Sequence, residues 1–500
     1  MTDRTDPLSL SAMEARRLIG RRALSPVELA EAAIARVEAV NPAVNALVAH
    51  DFDRVMTDAR KAEEQVMAGE PLGPLHGLPL GVKDMVDVAG LPTTYGSELF
   101  ADNWVTRDDP MVAALKQAGA VVLGKTNNPE WSAGGNTRNR VYGATANPHD
   151  LTKTCAGSSG GSAVTLATGM TMLSTGSDTG GSLRNPAAFC GVVGFRPSPG
   201  VVPGDGRGVA LIPLPTNGPM ARTVADTALM LSVQMRADPL DPWTSLVEGR
   251  LHGDPKDFKR LPRVDLSSLR VAVTEDLGFA PTERVIRDSF QDKLALFSSA
   301  FGEVAQDHPD CDEADRAFSV LRAVSFLSQH HRRVLDHPDK VGPNVRDNVE
   351  EGLGYSALDV TEALLIQGRL YRNWQGFFAA HDVVLAPAVT LSPRDWHELY
   401  PADIDGVPTK SYYHWLAMAY AATLAGHPSV TIPAGRDRLG LPFGLQIIGP
   451  KGGDLKTLAV AAELEALFSG VEALQPPRVD LEMLRSAPPL REAPGFMGFA

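Results

Sequence analysis

The chain has 500 residues, of which 44% are hydrophobic and 21% charged, the composition of an ordinary globular protein with a large core. Its net charge of −13 argues against nucleic-acid binding, which requires a clustered basic surface. Three cysteines (Cys155, Cys190 and Cys311) are too few for a disulfide framework and have no zinc-ligand spacing, so we expect no metal.

The amino terminus is polar, and no run of about eighteen apolar residues occurs in the sequence. We therefore expect a cytoplasmic protein that does not enter the membrane. The first predicted element is a helix that opens with a capping box and a proline at Ser25–Glu28 and ends at the Asn41-Pro42 dipeptide. A helix over Met111–Ala118 and a short buried strand over Val121–Leu123 follow.

A second helix–strand unit is predicted around Leu166–Thr175, and helices that alternate with short apolar strands indicate an α/β layered core. Between about residues 238 and 265 the chain is rich in Pro, Asp and Gly, which is typical of a linker. A strand over Leu269–Val273 and a helix over Thr282–Phe301 come next. Val383–Pro387 and Pro428–Pro433 are predicted to be further buried strands.

Two glycine-rich loops are the strongest chemical signal in the sequence. Cys155–Ser162 and Gly176–Ser182 place Ser158 and Ser182 among glycines, whose backbone N–H groups can converge on a developing oxyanion. Lys83 follows an apolar run, and a lysine with two serines can form a proton relay that activates a hydroxyl without histidine. The residues alone therefore predict a serine hydrolase.

These loops belong to a series of motifs that resembles the amidase signature family. The resemblance covers most of the chain and depends on motifs that occur together in one order: Pro79–Asp84, Leu123–Asn127, Cys155–Ser162, Gly180–Pro186, Phe189–Gly191, Gly426–Val430 and Gly444–Gln446. It implies an α/β fold with one large mixed β-sheet flanked by helices on both faces. It further implies a single domain over residues 1–500, with a catalytic core at 60–200 and a variable, substrate-shaping region at 235–425 packed on the core.

The residues alone do not choose among Ser158, Ser159 and Ser162. By motif matching, the resemblance selects Ser158 and implies a Ser-cisSer-Lys triad and no cofactor. Ser182 is the expected nucleophile and Lys83 the ultimate base, while Ser158 bridges the two and returns a proton to the leaving nitrogen. A lysine can act as a base near neutral pH only if burial lowers its pKa from about 10.4, and the apolar approach to Lys83 is consistent with that.

The resemblance also assigns the surroundings of the nucleophile. The backbone N–H groups of Thr179, Gly180, Gly181 and Ser182 are expected to form the oxyanion hole. Asp178 and Arg184 are expected to form an ion pair that holds this loop and takes no part in the reaction, because an unpaired carboxylate there would oppose the developing negative charge.

Two other interpretations of the glycine-rich loops can be compared with this one. Gly157–Gly161 fits the nucleophile elbow G-x-S-x-G, which would make Ser159 the nucleophile and His427 its base. An elbow requires a strand directly before it, and Thr152–Ala156 is polar and only weakly strand-like. A phosphate-binding loop is not supported, because no G-K-[ST] follows either loop.

The sequence indicates less about the substrate. Trp131, Tyr412 and Trp415 are candidate contacts within an aromatic-rich set that suits an aryl or apolar group. The same rings can instead pack the fold or a dimer interface. The expected substrate is a small-molecule amide. Esters and carbamates are alternative substrates, because their cleavage passes through the same kind of tetrahedral intermediate.

Two other functions remain open at this point. One is the glutaminase subunit of a tRNA-dependent amidotransferase, which uses the same triad but requires partner subunits. The other is a scaffold that kept the fold and lost the chemistry; against it, neither the lysine nor the two serines are replaced. The resemblance also allows a homodimer, which no residue of the sequence establishes.

Overall fold

The computed structural model describes residues 6–204, 208–247, 250–251 and 253–498. The α-helices in these ranges are α1 (Ala12–Gly20), α2 (Pro26–Val44), α3 (Phe52–Ala68), α4 (Pro110–Gln117), α5 (Gly160–Ala167), α6 (Arg184–Cys190), α7 (Val224–Gln234), α8 (Arg284–Phe297), α9 (Ala314–Asp336), α10 (Pro343–Leu353), α11 (Ala357–Ala380), α12 (Ala417–Ala425), α13 (Asp454–Ser469) and α14 (Leu481–Ser486). The strands are β1 (Leu47–Ala49), β2 (Pro79–Lys83), β3 (Val121–Thr126), β4 (Arg138–Asn139), β5 (Gly143–Ala144), β6 (Ala146–Asn147), β7 (Asp150–Thr154), β8 (Leu173–Asp178), β9 (Val193–Arg196), β10 (Thr216–Ala221), β11 (Leu246–Val247), β12 (Arg250–Leu251), β13 (Arg270–Val273), β14 (Glu303–Gln306), β15 (Val383–Pro387), β16 (Asp403–Ile404), β17 (Val407–Pro408), β18 (Ser429–Arg436) and β19 (Pro442–Ile448).

One eleven-stranded sheet runs through the molecule in the order β1-β3-β2-β8-β10-β9-β18-β19-β15-β13-β14. It is mixed: β2 pairs parallel with both β3 and β8, whereas β18 and β19 pair antiparallel. The remaining strands form two-stranded ribbons. The expected α/β fold with a large mixed sheet is therefore confirmed.

Helices cover both faces of this sheet. Along β15, Val383 and Leu385 face a core that includes α2, α3, α7 and α13, whereas Val384 and Ala386 face a second core that includes α9, α11 and α12. Side chains of a strand alternate between faces, so apolar residues on both faces require a cover on each side. The buried runs recognised in the sequence are central strands for this reason.

The prediction for the end of helix α2 was wrong. The helix begins as expected, with Ser25 and Glu28 in a capping box, but it continues through Pro42 to Val44. Pro42 has no N–H to donate to the carbonyl of Glu38, yet the helix continues for two residues beyond it. Asn45 ends the helix in the left-handed region, at φ +52°, and its N–H donates to the carbonyl of Asn41.

The helix–strand units around the glycine-rich loops position the site. The first serine loop runs directly into α5, and β8 leads out into the second. Because β2 and β8 are adjacent and parallel, their carboxyl ends meet at one edge of the sheet. Lys83 is the last residue of β2 and Asp178 the last of β8, so the topology brings the lysine and both serine loops together.

The segment at 238–265, whose composition is typical of a linker, packs against the rest of the protein. Residues 248, 249 and 252 of it lie outside the described residues. Phe258 is buried in the core that contains α7. The eleven strands of the central sheet come from the chain between Leu47 and Ile448, while the boundaries 60–200 and 235–425 stay predictions. In the described part of the chain, no helix is both long and apolar enough to cross a bilayer.

Candidate active site

Lys83 is the centre of a buried group of hydroxyls. Its Nζ donates to Oγ of Ser158 at 2.7 Å, to Oγ of Ser177 at 3.0 Å and to Oγ of Ser159 at 3.1 Å. The side chain is 1% exposed. An ammonium group has three donors, so these three hydroxyls match its hydrogen-bonding capacity.

Burial lowers the pKa of Lys83 to about 7, because the protonated amine loses its hydration. The carboxylate of Asp178 acts in the opposite direction and raises it, but the effect of burial is larger. No carboxylate of the described residues lies within the 4.0 Å ion-pair distance of this amine. A substantial fraction of Lys83 is therefore neutral near pH 7, as a base requires.

The first serine loop is shaped by close packing. The Gly157–Ser158 peptide bond is cis. A Cβ at Gly160 would lie 2.1 Å from Oγ1 of Thr137, and one at Gly161 would lie 2.3 Å from the backbone nitrogen of Asn127. The sequence predicted unusual dihedrals for these glycines, but among the glycines of the two serine loops only Gly181 has a positive φ, +107°, and the other residue there with a positive φ is Ala156, at +59°. The other glycines leave little room for a side chain: Gly161 packs against the backbone of Asn127, whereas Gly160, Gly176 and Gly180 pack mainly against neighbouring side chains.

Two arginines hold the carboxylate of Asp178, at the start of the second serine loop. Arg184 donates to both oxygens of Asp178, from Nε at 3.0 Å and from Nη2 at 2.9 Å, and Arg196 contacts Oδ1 at 3.3 Å. All three side chains are fully buried. Burial by itself raises a carboxyl pKa, but the two guanidinium groups outweigh it and hold the pKa of Asp178 below its usual range. Asp178 is therefore charged and held in place.

The same carboxylate organises the predicted oxyanion loop. The N–H of Gly181 donates to Oδ1 of Asp178 at 3.0 Å, and the N–H of Leu183 donates to Oδ2 at 3.2 Å. Within the described chain, the N–H groups of Thr179, Gly180 and Ser182 have no protein acceptor. Of the four predicted donors, three are thus free and that of Gly181 is engaged with Asp178.

Ser182 lies beside this network and keeps an opening to solvent. It is 8% exposed, compared with 1% for Ser158. The two serine loops are joined by the N–H of Ser159, which donates to the carbonyl of Ser182 at 3.2 Å. No hydrogen bond links the hydroxyls of Ser158 and Ser182 in the described residues.

The nucleophile-elbow interpretation has no matching geometry. Ser159 is buried, and its hydroxyl contacts Lys83 and the backbone of Ser177. His427 packs elsewhere, with Nδ1 against the carbonyl of Gly449 and Nε2 against Gln375. The strand that precedes the loop, β7, pairs with β6 in a two-stranded ribbon and is not part of the central sheet.

The three predicted aromatic contacts lie in two clusters. Tyr412 and Trp415 are both 3% exposed and belong to the core under α12, where the Trp415 indole N–H donates to the Tyr412 carbonyl at 3.0 Å. Trp131 lies in a separate, half-buried cluster and stacks on Tyr95 with ring centroids 4.6 Å apart. Helix α9 contributes to both clusters: several of its residues belong to the core under α12, and its His330 packs against Trp131.

Sequence reasoning missed three residues of this site. Ser177 and Arg196 contact Lys83 and Asp178 as described above, and Phe318 of α9 covers the oxyanion loop, because a Cβ at Gly180 would lie 3.1 Å from its Cζ. Ser177 lies within the Gly176–Ser182 motif, which was the available signal for it. Arg196 and Phe318 are distant in sequence, and no pattern linked them to the site.

Comparison with known proteins identifies the family. A model of the family described as Amidase matches residues 28–458. The Rhodococcus erythropolis protein named Acylamidase is 34% identical over 463 residues, which cover 92% of this chain and 95% of that protein. A glutamyl-tRNA(Gln) amidotransferase subunit from Synechococcus elongatus is 30% identical, over 86% of this chain and 92% of its own. The crystal structure of a bacterial aryl acylamidase of the amidase signature enzymes superimposes with a TM-score of 0.86 at 27% identity, covering 96% of this chain and 99% of that one. This chain therefore belongs to the amidase family and is an amide hydrolase.

Proposed function

We propose that the chain is a stand-alone amidase that cleaves aryl or otherwise apolar amides through an acyl-enzyme, with Ser182 as nucleophile, Ser158 as bridge and Lys83 as base. The observation that carries this proposal is the 2.7 Å hydrogen bond between Nζ of Lys83 and Oγ of Ser158 inside a buried site. A buried, partly neutral amine is a competent base at neutral pH.

Acylation begins with neutral Lys83. As Oγ of Ser182 attacks the amide carbon, its proton passes to Ser158, and the proton of Ser158 passes to Lys83. This transfer requires the hydroxyl of Ser182 to reach Ser158, a link that forms as the substrate binds, since catalytic hydrogen bonds often tighten only in the substrate complex.

The tetrahedral intermediate carries its negative charge on the former carbonyl oxygen. The N–H groups of Thr179, Gly180 and Ser182 are the donors for this oxyanion, because they have no acceptor within the described residues. Gly181 contributes through its conformation, since its own N–H donates to Asp178. The two arginines on Asp178 keep that carboxylate from repelling the oxyanion.

Collapse of the intermediate breaks the C–N bond. Ser158 gives its proton to the leaving nitrogen and regains one from protonated Lys83, so the product leaves as a neutral amine and Lys83 is again neutral. Water then attacks the acyl group on Ser182 by the same relay. The products are the carboxylic acid and the regenerated serine.

The surroundings of the oxyanion loop support an aryl or apolar substrate. Phe318 lies over Gly180, and a methyl group of Leu416 lies 3.9 Å from the position of a Cβ there. Apolar and aromatic walls with few polar groups are typical of sites for such ligands. The resemblance to the bacterial aryl acylamidase agrees with this substrate class. Esters and carbamates stay within the proposal because they pass through the same intermediate.

An active-site probe tests the mechanism directly. The pure protein is treated with a fluorophosphonate, and the adduct is located by peptide mass mapping, with Lys83→Ala as the control. We expect labelling at Ser182 that depends on Lys83. An adduct at Ser159 would contradict the proposal, as would labelling of Ser182 at the wild-type rate in the lysine variant.

A second candidate function rests on the amidotransferase relatives. Several proteins named as glutamyl-tRNA(Gln) amidotransferase subunits are 30–32% identical over most of their length. If this chain were such a subunit, the isolated protein would release ammonia from glutamine and cleave aryl amides poorly. Comparison of acetanilide with glutamine as substrates separates the two functions. The homodimer that the resemblance allows and the expected cytoplasmic location stay predictions.

A further inference from the structure

Arg322 is a buried cation without a carboxylate partner. It lies on α9 and is 6% exposed. Its Nε and Nη2 donate to the phenol oxygen of Tyr412, and Nη1 has no hydrogen-bond acceptor within the described residues. In the described chain, no carboxylate oxygen comes within the 4.0 Å ion-pair distance of this guanidinium.

The surroundings of Arg322 are aromatic. Its Cζ lies 4.6 Å from the ring centroid of Phe326, 5.3 Å from that of Tyr412, 5.6 Å from that of Tyr413 and 5.9 Å from that of Phe318. Cation–π contacts stabilise a guanidinium, but only partly replace the hydration lost on burial. Arginines 184 and 196, which are also buried, both contact the carboxylate of Asp178. Arg322 has no such counter-ion among the described residues.

This cation lies next to the candidate active site. Phe318 is one helical turn before Arg322 and is the ring that covers Gly180 of the oxyanion loop. The Phe318 ring therefore lies near both the guanidinium and the predicted oxyanion loop. Leu416, three residues after Tyr413, approaches the same glycine.

The acidic side chains of the neighbouring helix α10 do not neutralise this cation. Glu351 accepts hydrogen bonds from the phenols of Tyr413, at 2.8 Å and 2.9 Å, and Tyr355, at 2.7 Å. Asp347, one turn earlier on α10, is exposed to solvent. Neither carboxylate comes within ion-pair distance of Arg322.

We propose that the Arg322 guanidinium binds a carboxylate carried by the substrate, so that the preferred amides bear an acidic group in addition to the amide that is cleaved. The inference rests on the proposed function and narrows its substrate class. A carboxylate beside Nη1 would supply both the missing acceptor and the missing counter-charge, and charge-assisted hydrogen bonds of this kind are the strong ones. The aryl part of the substrate would contact Phe318, and the carboxylate would lie beyond it.

Two matched pairs of anilides test this proposal. The first pair is N-phenylsuccinamic acid and butyranilide, which places the carboxylate on the acyl side; the second is 4-acetamidobenzoate and 4-methylacetanilide, which places it on the amine side. We expect wild-type kcat/KM to be at least about tenfold higher for the acid in one pair. Equal or lower values for the acids in both pairs would overturn the proposal.

Variants at Arg322 identify the group responsible. We expect Arg322→Gln to lower kcat/KM by at least about tenfold for the preferred acid and by less than about threefold for its neutral partner, with Arg322→Lys in between. The matched control is Arg316→Gln on the same helix, since Arg316 also lies over a tyrosine ring but is paired with Asp359. It should leave the acid-to-neutral ratio unchanged.

Other outcomes distinguish a failure of the carboxylate site from a failure of the proposed function. Equal losses on acid and neutral substrates in Arg322→Gln would mean a structural role and overturn the carboxylate site. No turnover of any anilide by the wild type would overturn the proposed function, and without Arg322-dependent hydrolysis of glutamine it would overturn the inference as well. Glutamine hydrolysis that depends on Arg322 would support the carboxylate site while overturning the aryl-amide proposal.

Discussion

Nζ of Lys83 lies 3.0 Å from Oγ of Ser177, on β8, and 2.7 Å from Oγ of Ser158, in the loop before α5. One amine thus contacts both chain segments that carry the glycine-rich motifs. Strand β2 and the hydroxyls of Ser158 and Ser177 set the position of this amine. The predicted base is thereby fixed relative to the predicted nucleophile.

The first prediction concerns the pH dependence of the rate. Because burial lowers the pKa of Lys83 to about 7 and the base must be neutral, kcat/KM should rise about tenfold per pH unit below pH 7 and level off above about pH 8. The measurement is kcat/KM for acetanilide from about pH 5.5 to 9.5. Ser177→Ala serves as a control that should lower the rate modestly and keep the rising limb. A flat profile between about pH 6 and 9 would contradict lysine as the base.

The second prediction separates the serines. Ser182→Ala and Ser158→Ala should each lower kcat by at least about 10³-fold, because one removes the nucleophile and the other the proton bridge. Ser159→Ala should cost only about tenfold, since Lys83 keeps two of its three acceptors. Steady-state kinetics with circular dichroism to verify folding is the measurement. Loss of activity in Ser159→Ala together with retained activity in Ser182→Ala would instead support the elbow interpretation, in which Ser159 is the nucleophile.

The third prediction concerns Asp178. Asp178→Asn removes the carboxylate shared by Arg184 and Arg196 and leaves two buried guanidinium groups, so we expect a loss of about 3–5 kcal/mol in the free energy of unfolding. Asp178 also raises the pKa of Lys83, so the rising limb of kcat/KM in the variant should move to lower pH. Urea unfolding and the pH–rate profile are the two measurements. A limb that moves to higher pH would contradict the assigned coupling.

The fourth prediction compares two neighbouring glycines. Gly181 has φ +107°, and an added Cβ would lie 2.6 Å from Cβ of Ala419, so Gly181→Ala should cost more than about 2 kcal/mol of stability and most of the activity. Gly180 does not have a positive φ, and the closest atom to its Cβ would be on Phe318, at 3.1 Å. Gly180→Ala should therefore fold normally and lose roughly tenfold in kcat/KM for aryl amides. Thermal unfolding and kinetics of both variants check this; equal unfolding temperatures would contradict it.

The sequence predicted the layered fold because its central strands are buried on both sides and therefore consist of apolar runs. Val383–Pro387 was predicted with the same bounds that the structure has, for this reason. The end of α2 was misplaced because a proline marks a frequent helix boundary but does not always end the helix. Local rules of this kind identify the elements but leave their ends uncertain by a few residues.

The site was predictable only where its residues belong to contiguous motifs. Lys83, Ser158 and Ser182 stood out because each lies in a short, unusual segment. Arg196 and Phe318 come from β9 and α9 and reach the site through the tertiary fold, so no local pattern could point to them. The glycines were noticed, but their role in close packing becomes visible only when the residues packed against them are present.

Arg184 links the second serine loop, Gly176–Ser182, to a distant part of the chain. Besides Asp178, its guanidinium donates to the carbonyl of Ala419, to Oγ1 of Thr423 and to Oε1 of Gln446, which lie 235, 239 and 262 positions later. During synthesis, the serine loops leave the ribosome long before these acceptors exist. The loop beside Ser182 can therefore make these contacts only after residue 446 has been made.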